Sequence, residues 1–112
     1  MGTEDDVNLS APLLVEVDVE DGAATITVEG EMDAHTCELL DGEIPEVLAT
    51  GASELTLDVS GVSFVDSSGL RVLIRAHEQA RAHGGQVSLR GPDATFRRLL
   101  EVTGLDGVFP VV

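Results

Sequence analysis

The sequence predicts a single α/β domain with a mainly parallel sheet, an antiparallel N-terminal edge strand and crossover helices. Its 112 residues match the usual size of one compact domain. After a polar start, apolar and polar residues alternate with the period of two that is typical of strands. Helical spacings of three and four then alternate with further strand-like segments. This alternation favours parallel strands joined by right-handed crossovers.

The ends and composition of the chain restrict the class of protein. The first residues are acidic and lack periodicity, so we expect a flexible N-terminal arm over residues 1–11 and a domain over residues 12–112. No apolar run approaches the roughly 20 residues of a membrane helix, and the N-terminus lacks the basic start of a signal peptide. We therefore expect a cytoplasmic protein without membrane contact.

Charge argues against nucleic-acid binding. The net charge of −15 comes from 21 acidic residues against six arginines, with no lysine. Such a chain has no general affinity for phosphate backbones. The acidity is also explained by solubility alone, so it does not by itself indicate a docking role. The single cysteine, Cys37, can form no internal disulfide.

Two strands open the predicted domain. Leu13–Val19 and Ala24–Val28 both alternate apolar with polar residues. Between them lies Asp21-Gly22, where the glycine tolerates the positive φ of a tight hairpin turn. We expect the two strands to be antiparallel neighbours.

An amphipathic helix is predicted next, starting near Asp33, which can cap its first amides, and ending at Gly51. Its apolar residues recur at threes and fours and are Ala34, Cys37, Leu40, Ile44, Val47 and Leu48. Pro45 lies inside this helix and cannot donate a hydrogen bond to the carbonyl four residues before it. We therefore expect a kink or a break there.

The second half continues the alternation. Residues 55–65 predict a central buried strand, whose last apolar residues are Val62, Phe64 and Val65. A helix then starts at Ser67 and stops at Gly84-Gly85, with an apolar face formed by Leu70, Leu73, Ala76 or His77, and Ala80.

Three shorter elements complete the predicted fold. A strand places Val87 and Leu89 inward. A third helix starts near Asp93 and ends at Gly104, with a stripe formed by Phe96, Leu99, Leu100 and Thr103. An edge strand over residues 108–112 tolerates Pro110.

Candidate functional residues gather at two junctions where a strand meets a helix. The segments 31–36 and 66–70 both combine acidic and hydroxyl side chains at the carboxyl ends of strands, where ligands gather in open sheets. Asp66 and Ser67 are also among the commonest helix caps, which is a sufficient explanation of either. The same free amides and positive dipole end would suit an added phosphate. Geometry alone leaves both interpretations open.

These junctions carry a family resemblance. The segment 30–36, G-E-M-D-A-H-T, resembles the G-E-[LIM]-D-x-x-T segment of STAS domains, and residues 64–70, F-V-D-S-S-G-L, resemble their F-[MLV]-D-S-[ST]-G-L segment. The similarity continues through Gly84-Gly85 and the Thr103-Gly104-Leu105 segment, so it covers roughly residues 13–112. The chain is identified as a member of the STAS-domain anti-sigma-factor antagonists.

The resemblance implies a switch controlled by phosphorylation. It implies that the unphosphorylated protein binds an anti-sigma factor with serine kinase activity and releases a sigma factor. It further implies that phosphorylation of Ser67 blocks that binding and that a serine phosphatase resets the switch. The residues assigned to partner binding are Asp33, Thr36, Asp66, Ser67, Ser68, Gly69 and Arg71. Of these, Arg71 can face a partner or steady a phosphate, although solvated helix charge is the more common explanation of an arginine such as Arg71 or Arg75 on an exposed helix face.

Other functions are weaker alternatives. A STAS domain can also be a binding subunit of a transporter or a signalling assembly. A phosphoacceptor receiver needs a lysine, which this chain lacks. The chain shows neither a nucleophile elbow nor a glycine-rich phosphate loop followed by lysine, and its histidines lack the spacing of metal ligands. We expect no catalytic residues, no metal and no cofactor.

Overall fold

A computed structural model describes residues 13–112. The predicted arm over residues 1–11, and Pro12, lie outside the described residues. The strands and helices follow in the order β1 (Leu14–Glu20), β2 (Ala23–Met32), α1 (Cys37–Ala49), β3 (Glu54–Val65), α2 (Ser67–Ala82), β4 (Gln86–Arg90) and α3 (Ala94–Thr103), and a 3-10 turn (Leu105–Gly107) follows α3.

The sheet has the predicted mixed topology. Its strand order is β1-β2-β3-β4, with β1 antiparallel to β2 and the remaining neighbours parallel. The hairpin turn between β1 and β2 is confirmed, because Asp21 and Gly22 adopt positive φ values of 51° and 81°. Two successive residues with positive φ form the turn that best matches the twist of a hairpin.

One face of the sheet carries the hydrophobic core. Ile26 of β2 pairs in register with Leu57 of β3, which pairs with Leu89 of β4, and all three side chains are fully buried. The helices α1 and α2 contact each other and bury their apolar stripes in the same cluster of residues. The predicted inward positions Val87 and Leu89 are confirmed.

Helix α1 differs from its prediction in two ways. It begins at Cys37 and not near Asp33, because residues 33–36 form a hydrogen-bonded turn of their own. It also continues through Pro45 without a break. Pro45 is exposed, and the carbonyl of Asp41, four residues earlier, lies on the same outer face. Water can bond to that carbonyl there.

The predicted edge strand over residues 108–112 is wrong. A single bridge joins Leu89 to Val111, with hydrogen bonds of 2.8 Å from Leu89 N to the Pro110 carbonyl and from Val112 N to the Leu89 carbonyl. The preceding residues form the 3-10 turn. Phe109 is buried in the core, where its ring and the ring of His77 form a T-shaped contact with 5.6 Å between their centroids. A core-facing Phe109 beside a proline leaves too little extended chain for a ladder.

The prediction that β3 is buried throughout is wrong at Phe64. Gly30 of β2 pairs with Val62, but the next residue, Glu31, pairs with Phe64, so β3 contains one extra residue at this step. β3 contains another extra residue earlier, between the partners of Thr27 and Glu29. Each extra residue reverses the side to which the following side chains point. Val62 is therefore 5% exposed and Phe64 is 50% exposed.

Candidate functional site

The second junction joins the end of β3 to the start of α2. Asp66 has extended backbone, and its Oδ1 accepts hydrogen bonds from Ser68 N at 2.9 Å and Gly69 N at 3.3 Å. It is therefore the helix cap. Ser67 is exposed at the first helical position, and within residues 13–112 no hydrogen bond uses its hydroxyl. Asp66 thus caps the helix, and Ser67 presents a free hydroxyl.

The first junction is a compact turn after β2. Asp33 Oδ1 accepts hydrogen bonds of 2.9 Å from the backbone amides of both His35 and Thr36. The Thr36 hydroxyl donates to the carbonyl of Glu31 and accepts from Asp33 N at 3.1 Å. The hydrogen bond from the Thr36 amide is the main cause that lowers the pKa of Asp33 below its ordinary value. Asp33 therefore caps this turn and not the helix itself.

Backbone contacts fix the two junctions side by side. Asp66 N donates to the Met32 carbonyl at 3.3 Å, directly before the turn at Asp33. Gly69 lies beneath this contact, where an added Cβ would be 2.8 Å from both the Met32 carbonyl oxygen and Val65 Cγ2. Only glycine allows α2 to approach β2 this closely.

The seven predicted site residues differ in exposure. We call the accessible or half-buried group Asp33, Asp66, Ser67 and Ser68 the junction surface. Thr36 and Gly69 are buried and hold the junctions in place. Arg71 is exposed one helical turn after Ser67. The assignment of all seven to partner binding stays a prediction.

A groove of about 280 Å³ lies between α1 and α2 beside the junction surface. It is lined by Ala34, Cys37, Glu38, Asp41, Ser68, Arg71, Val72 and Arg75. Arg75 Nη1 forms an ion pair with Asp41 Oδ2 at 3.1 Å, the one such pair among residues 13–112. Arg71 therefore has no carboxylate partner in this part of the chain. The structure distinguishes two arginines that the sequence left equivalent.

Phe64 is a candidate site residue that the sequence analysis missed. It lies three residues before Ser67 and is one of the exposed large apolar side chains. The sequence analysis counted it only among the apolar residues that make this segment a buried strand. A possible signal was Ser60-Gly61, since a glycine inside a strand often marks a bulge.

Other chemistry has little support in the described part of the chain. No group of three or more His, Cys, Asp or Glu side chains there could hold a metal ion. Burial, the largest influence, raises the pKa of the Cys37 thiol, so this thiol has little thiolate character. No helix within residues 13–112 is both long and apolar enough to cross a membrane.

Sequence comparisons identify relatives along almost the whole described chain. The family described as "Mlab, STAS domain" matches residues 15–112. The anti-sigma-F factor antagonist RsfB of Mycobacterium tuberculosis is 35% identical over 104 residues, covering 90% of this chain and 84% of the relative.

Solved structures show the same fold. An anti-sigma factor antagonist from Mycobacterium paratuberculosis is 37% identical, with a TM-score of 0.74 over 92% of this chain and 89% of that one. SpoIIAA in its unphosphorylated form superimposes with a TM-score of 0.76 at 23% identity, covering 88% of each chain, and so supports the fold alone. The sequence match, the fold and the two adjoining junctions agree: the chain belongs to the STAS-domain family of anti-sigma factor antagonists.

Proposed function

We propose that the unphosphorylated chain binds an anti-sigma factor with serine kinase activity and so releases a sigma factor, and that phosphorylation of Ser67 blocks this binding. The supporting observation is the exposed Ser67 hydroxyl beside a helix cap that Asp66 already provides. The other expected conditions are a serine phosphatase that resets the switch, a cytoplasmic location and no direct contact with nucleic acid.

The division of roles between Asp66 and Ser67 removes helix capping as the explanation of Ser67. A serine at a helix start usually accepts a hydrogen bond from the helix amides. Here the Asp66 carboxylate accepts those bonds from Ser68 and Gly69. Ser67 is left exposed at a rigid position, which suits a residue that must enter the active site of another protein.

In this proposal the chain is the substrate of its kinase partner and is not itself an enzyme. In the transfer, the Ser67 oxygen would attack the γ-phosphorus of ATP bound by the kinase, ADP would leave, and a base of the kinase would take the hydroxyl proton. The relatives are named as antagonists of anti-sigma factors, which supports an anti-sigma factor as the partner.

The phosphate would act through charge and desolvation. It adds about −1.5 to −2 charge next to Asp66, and an interface that covers Ser67 would have to remove water from it. A penalty of about 3 kcal/mol weakens binding roughly a hundredfold. Such a switch requires no large change of conformation.

The first prediction compares two substitutions at Ser67. We expect Ser67→Asp to abolish binding to the anti-sigma serine kinase of the same organism, because it adds charge to the interface. Ser67→Ala should keep binding and prevent phosphate transfer. Isothermal titration calorimetry measures the affinities, and intact mass spectrometry after incubation with kinase and ATP measures the transfer.

Enzymatically phosphorylated protein is the deciding sample, because aspartate carries less charge than a phosphate. If this phosphoprotein bound the kinase as tightly as the unmodified protein, the proposed switch would be wrong. If the wild type did not bind the kinase at all, the proposed partner would be wrong.

A further inference from the structure

Phe64 is a large apolar side chain that the fold leaves half exposed near the junction surface. It is 50% exposed, although it belongs to β3 and is followed by the half-buried Val65. Its orientation follows from the extra residue in β3 between the pairs formed by Gly30 and Glu31. A single exposed apolar residue needs no explanation by itself. Phe64, however, lies three residues before Ser67, and this position indicates a role for its exposure.

The two carboxylates of the junction surface already accept hydrogen bonds within the chain. Asp33 accepts from two backbone amides and Asp66 accepts from two more. Further donors from a partner protein would contribute little net free energy, because both carboxylates would have to lose water on entering the interface. The uncovered aromatic ring of Phe64 has most to gain from contact with a partner, because burial removes its apolar surface from water.

Phe64 lies within the reach of any partner that covers Ser67. Three residues of chain span at most about 11 Å between the two Cα atoms. A stable interface buries about 800 Å² on each partner, equivalent to a disc with a radius of roughly 16 Å. The footprint of a partner centred on Ser67 is thus wide enough to include Phe64.

We infer that Phe64 is the apolar anchor of the partner interface and inserts into an apolar pocket of the anti-sigma kinase. This inference rests on the proposed function. A small pocket of this chain is lined by Phe64 and, from the start of α3, by Asp93, Thr95 and Phe96. The start of α3 would therefore lie at the rim of the same interface. The contact surface therefore extends from Ser67 across the end of β3 towards α3.

An apolar anchor also explains why a phosphate on Ser67 would be effective. When Phe64 is seated, water is excluded around it, and Ser67 lies close to that dehydrated region. An uncharged hydroxyl tolerates this environment, whereas a phosphate does not without a compensating partner. A second copy of this chain is a poor occupant, because each copy carries a net charge of −15 and the copies repel each other.

The test measures binding of Phe64→Ala to the purified anti-sigma serine kinase of the same organism. We expect a loss of affinity of about tenfold to a hundredfold, because roughly half of an aromatic side chain no longer leaves water on binding. Phe64→Leu should retain most of the affinity. The matched control is Val19→Ala on β1, since Val19 is 42% exposed and pairs with Ala24 at the end of the sheet opposite to the junctions, so it should not affect binding.

Urea unfolding and sedimentation distinguish the remaining explanations. The half of Phe64 that is already buried stabilises the fold, so Phe64→Ala should lower the unfolding midpoint modestly. A loss of binding under conditions in which the unfolding curve shows the variant fully folded supports the anchor. Equal affinities of Phe64→Ala and wild type would overturn the inference and leave the proposed function intact. Self-association of the wild type that Phe64→Ala abolishes would assign Phe64 to a homodimer instead. A wild type that fails to bind the kinase would overturn both proposals.

Discussion

At the scale of single residues, the cap formed by Asp66 restricts what a phosphate on Ser67 can bind. The amides of Ser68 and Gly69 would be natural partners for a phosphate at a helix start, but both already donate to the Asp66 carboxylate. The phosphate would therefore lie next to the negative charge of Asp66 and would need a cationic side chain as its partner. Arg71 is four residues after Ser67 and has no ion pair among residues 13–112.

The spacing of Ser67 and Arg71 predicts a contact with the phosphate. A negative group four residues before a positive one is the favourable order on a helix. We expect Arg71 to lower the second pKa of a phosphate on Ser67, so Arg71→Ala should raise that pKa by about 0.15–0.4 units. Phosphorus NMR titration of the phosphoprotein measures it directly.

Arg75→Ala is the matched control for Arg71. Arg75 lies on the same helix and lines the same groove, but Asp41 already pairs with it at 3.1 Å. Its removal should change the phosphate pKa less than the removal of Arg71 does. The other charged groups around the groove and the junction surface are Asp33, Glu38, Asp41 and Asp66, and they are unchanged in both variants. Equal shifts in the two variants would contradict a direct contact with Arg71.

At the scale of secondary structure, the position of Ser67 depends on how closely α2 approaches β2. Gly69 is buried in the first turn of α2, and an added Cβ would lie 2.8 Å from the Met32 carbonyl oxygen. That oxygen also accepts the hydrogen bond from Asp66 N. Any side chain at residue 69 therefore pushes on the contact that joins the two junctions.

Two glycine substitutions test this packing. We expect Gly69→Ala to destabilise the fold by about 1–3 kcal/mol, because the methyl group overpacks a rigid backbone contact. Gly42→Ala, inside α1, should instead stabilise it by about 0.5–1 kcal/mol, since no atom lies within 4 Å of the added Cβ and alanine favours helix. Urea unfolding measures both. A neutral Gly69→Ala would show that α2 can shift without cost.

At the scale of the whole molecule, phosphorylation adds little to the forces that hold the fold. The core lies on one face of the sheet, beneath α1 and α2, and Ser67 is exposed outside it. The added charge of about −2 is also small beside the existing −15. The phosphate should therefore change what the surface can bind and leave the packing as it is.

The last prediction concerns the stability of the phosphoprotein. The helix dipole and Arg71 favour a phosphate on Ser67 by roughly 0.3–1 kcal/mol, and repulsion from Asp66 is of similar size at an exposed position. The two forms should thus differ in free energy of unfolding by less than about 1.5 kcal/mol. Urea unfolding and NMR spectra of both forms measure this. Spectral changes far from residues 30–36 and 64–72 would indicate an allosteric switch instead.

Local patterns in the sequence determined most of the fold. The β1–β2 hairpin follows from two alternating segments around Asp21-Gly22. The starts of α2 and α3 follow from Asp66 and Asp93, whose carboxylates cap amides within the next few residues. These signals involve neighbours in sequence, so they do not depend on the rest of the fold. The two junction motifs also identified the family from the sequence alone.

Tertiary structure alone decided how those elements present the site. The start of α1 moved to Cys37 because Asp33 and Thr36 bond to each other and to Glu31 in a separate turn. The outward position of Phe64 depends on the register between β2 and β3, and the difference between Arg71 and Arg75 depends on Asp41 of another helix. Each of these features arises between segments or within a closed turn. Periodicity describes one segment at a time, and therefore it cannot determine them.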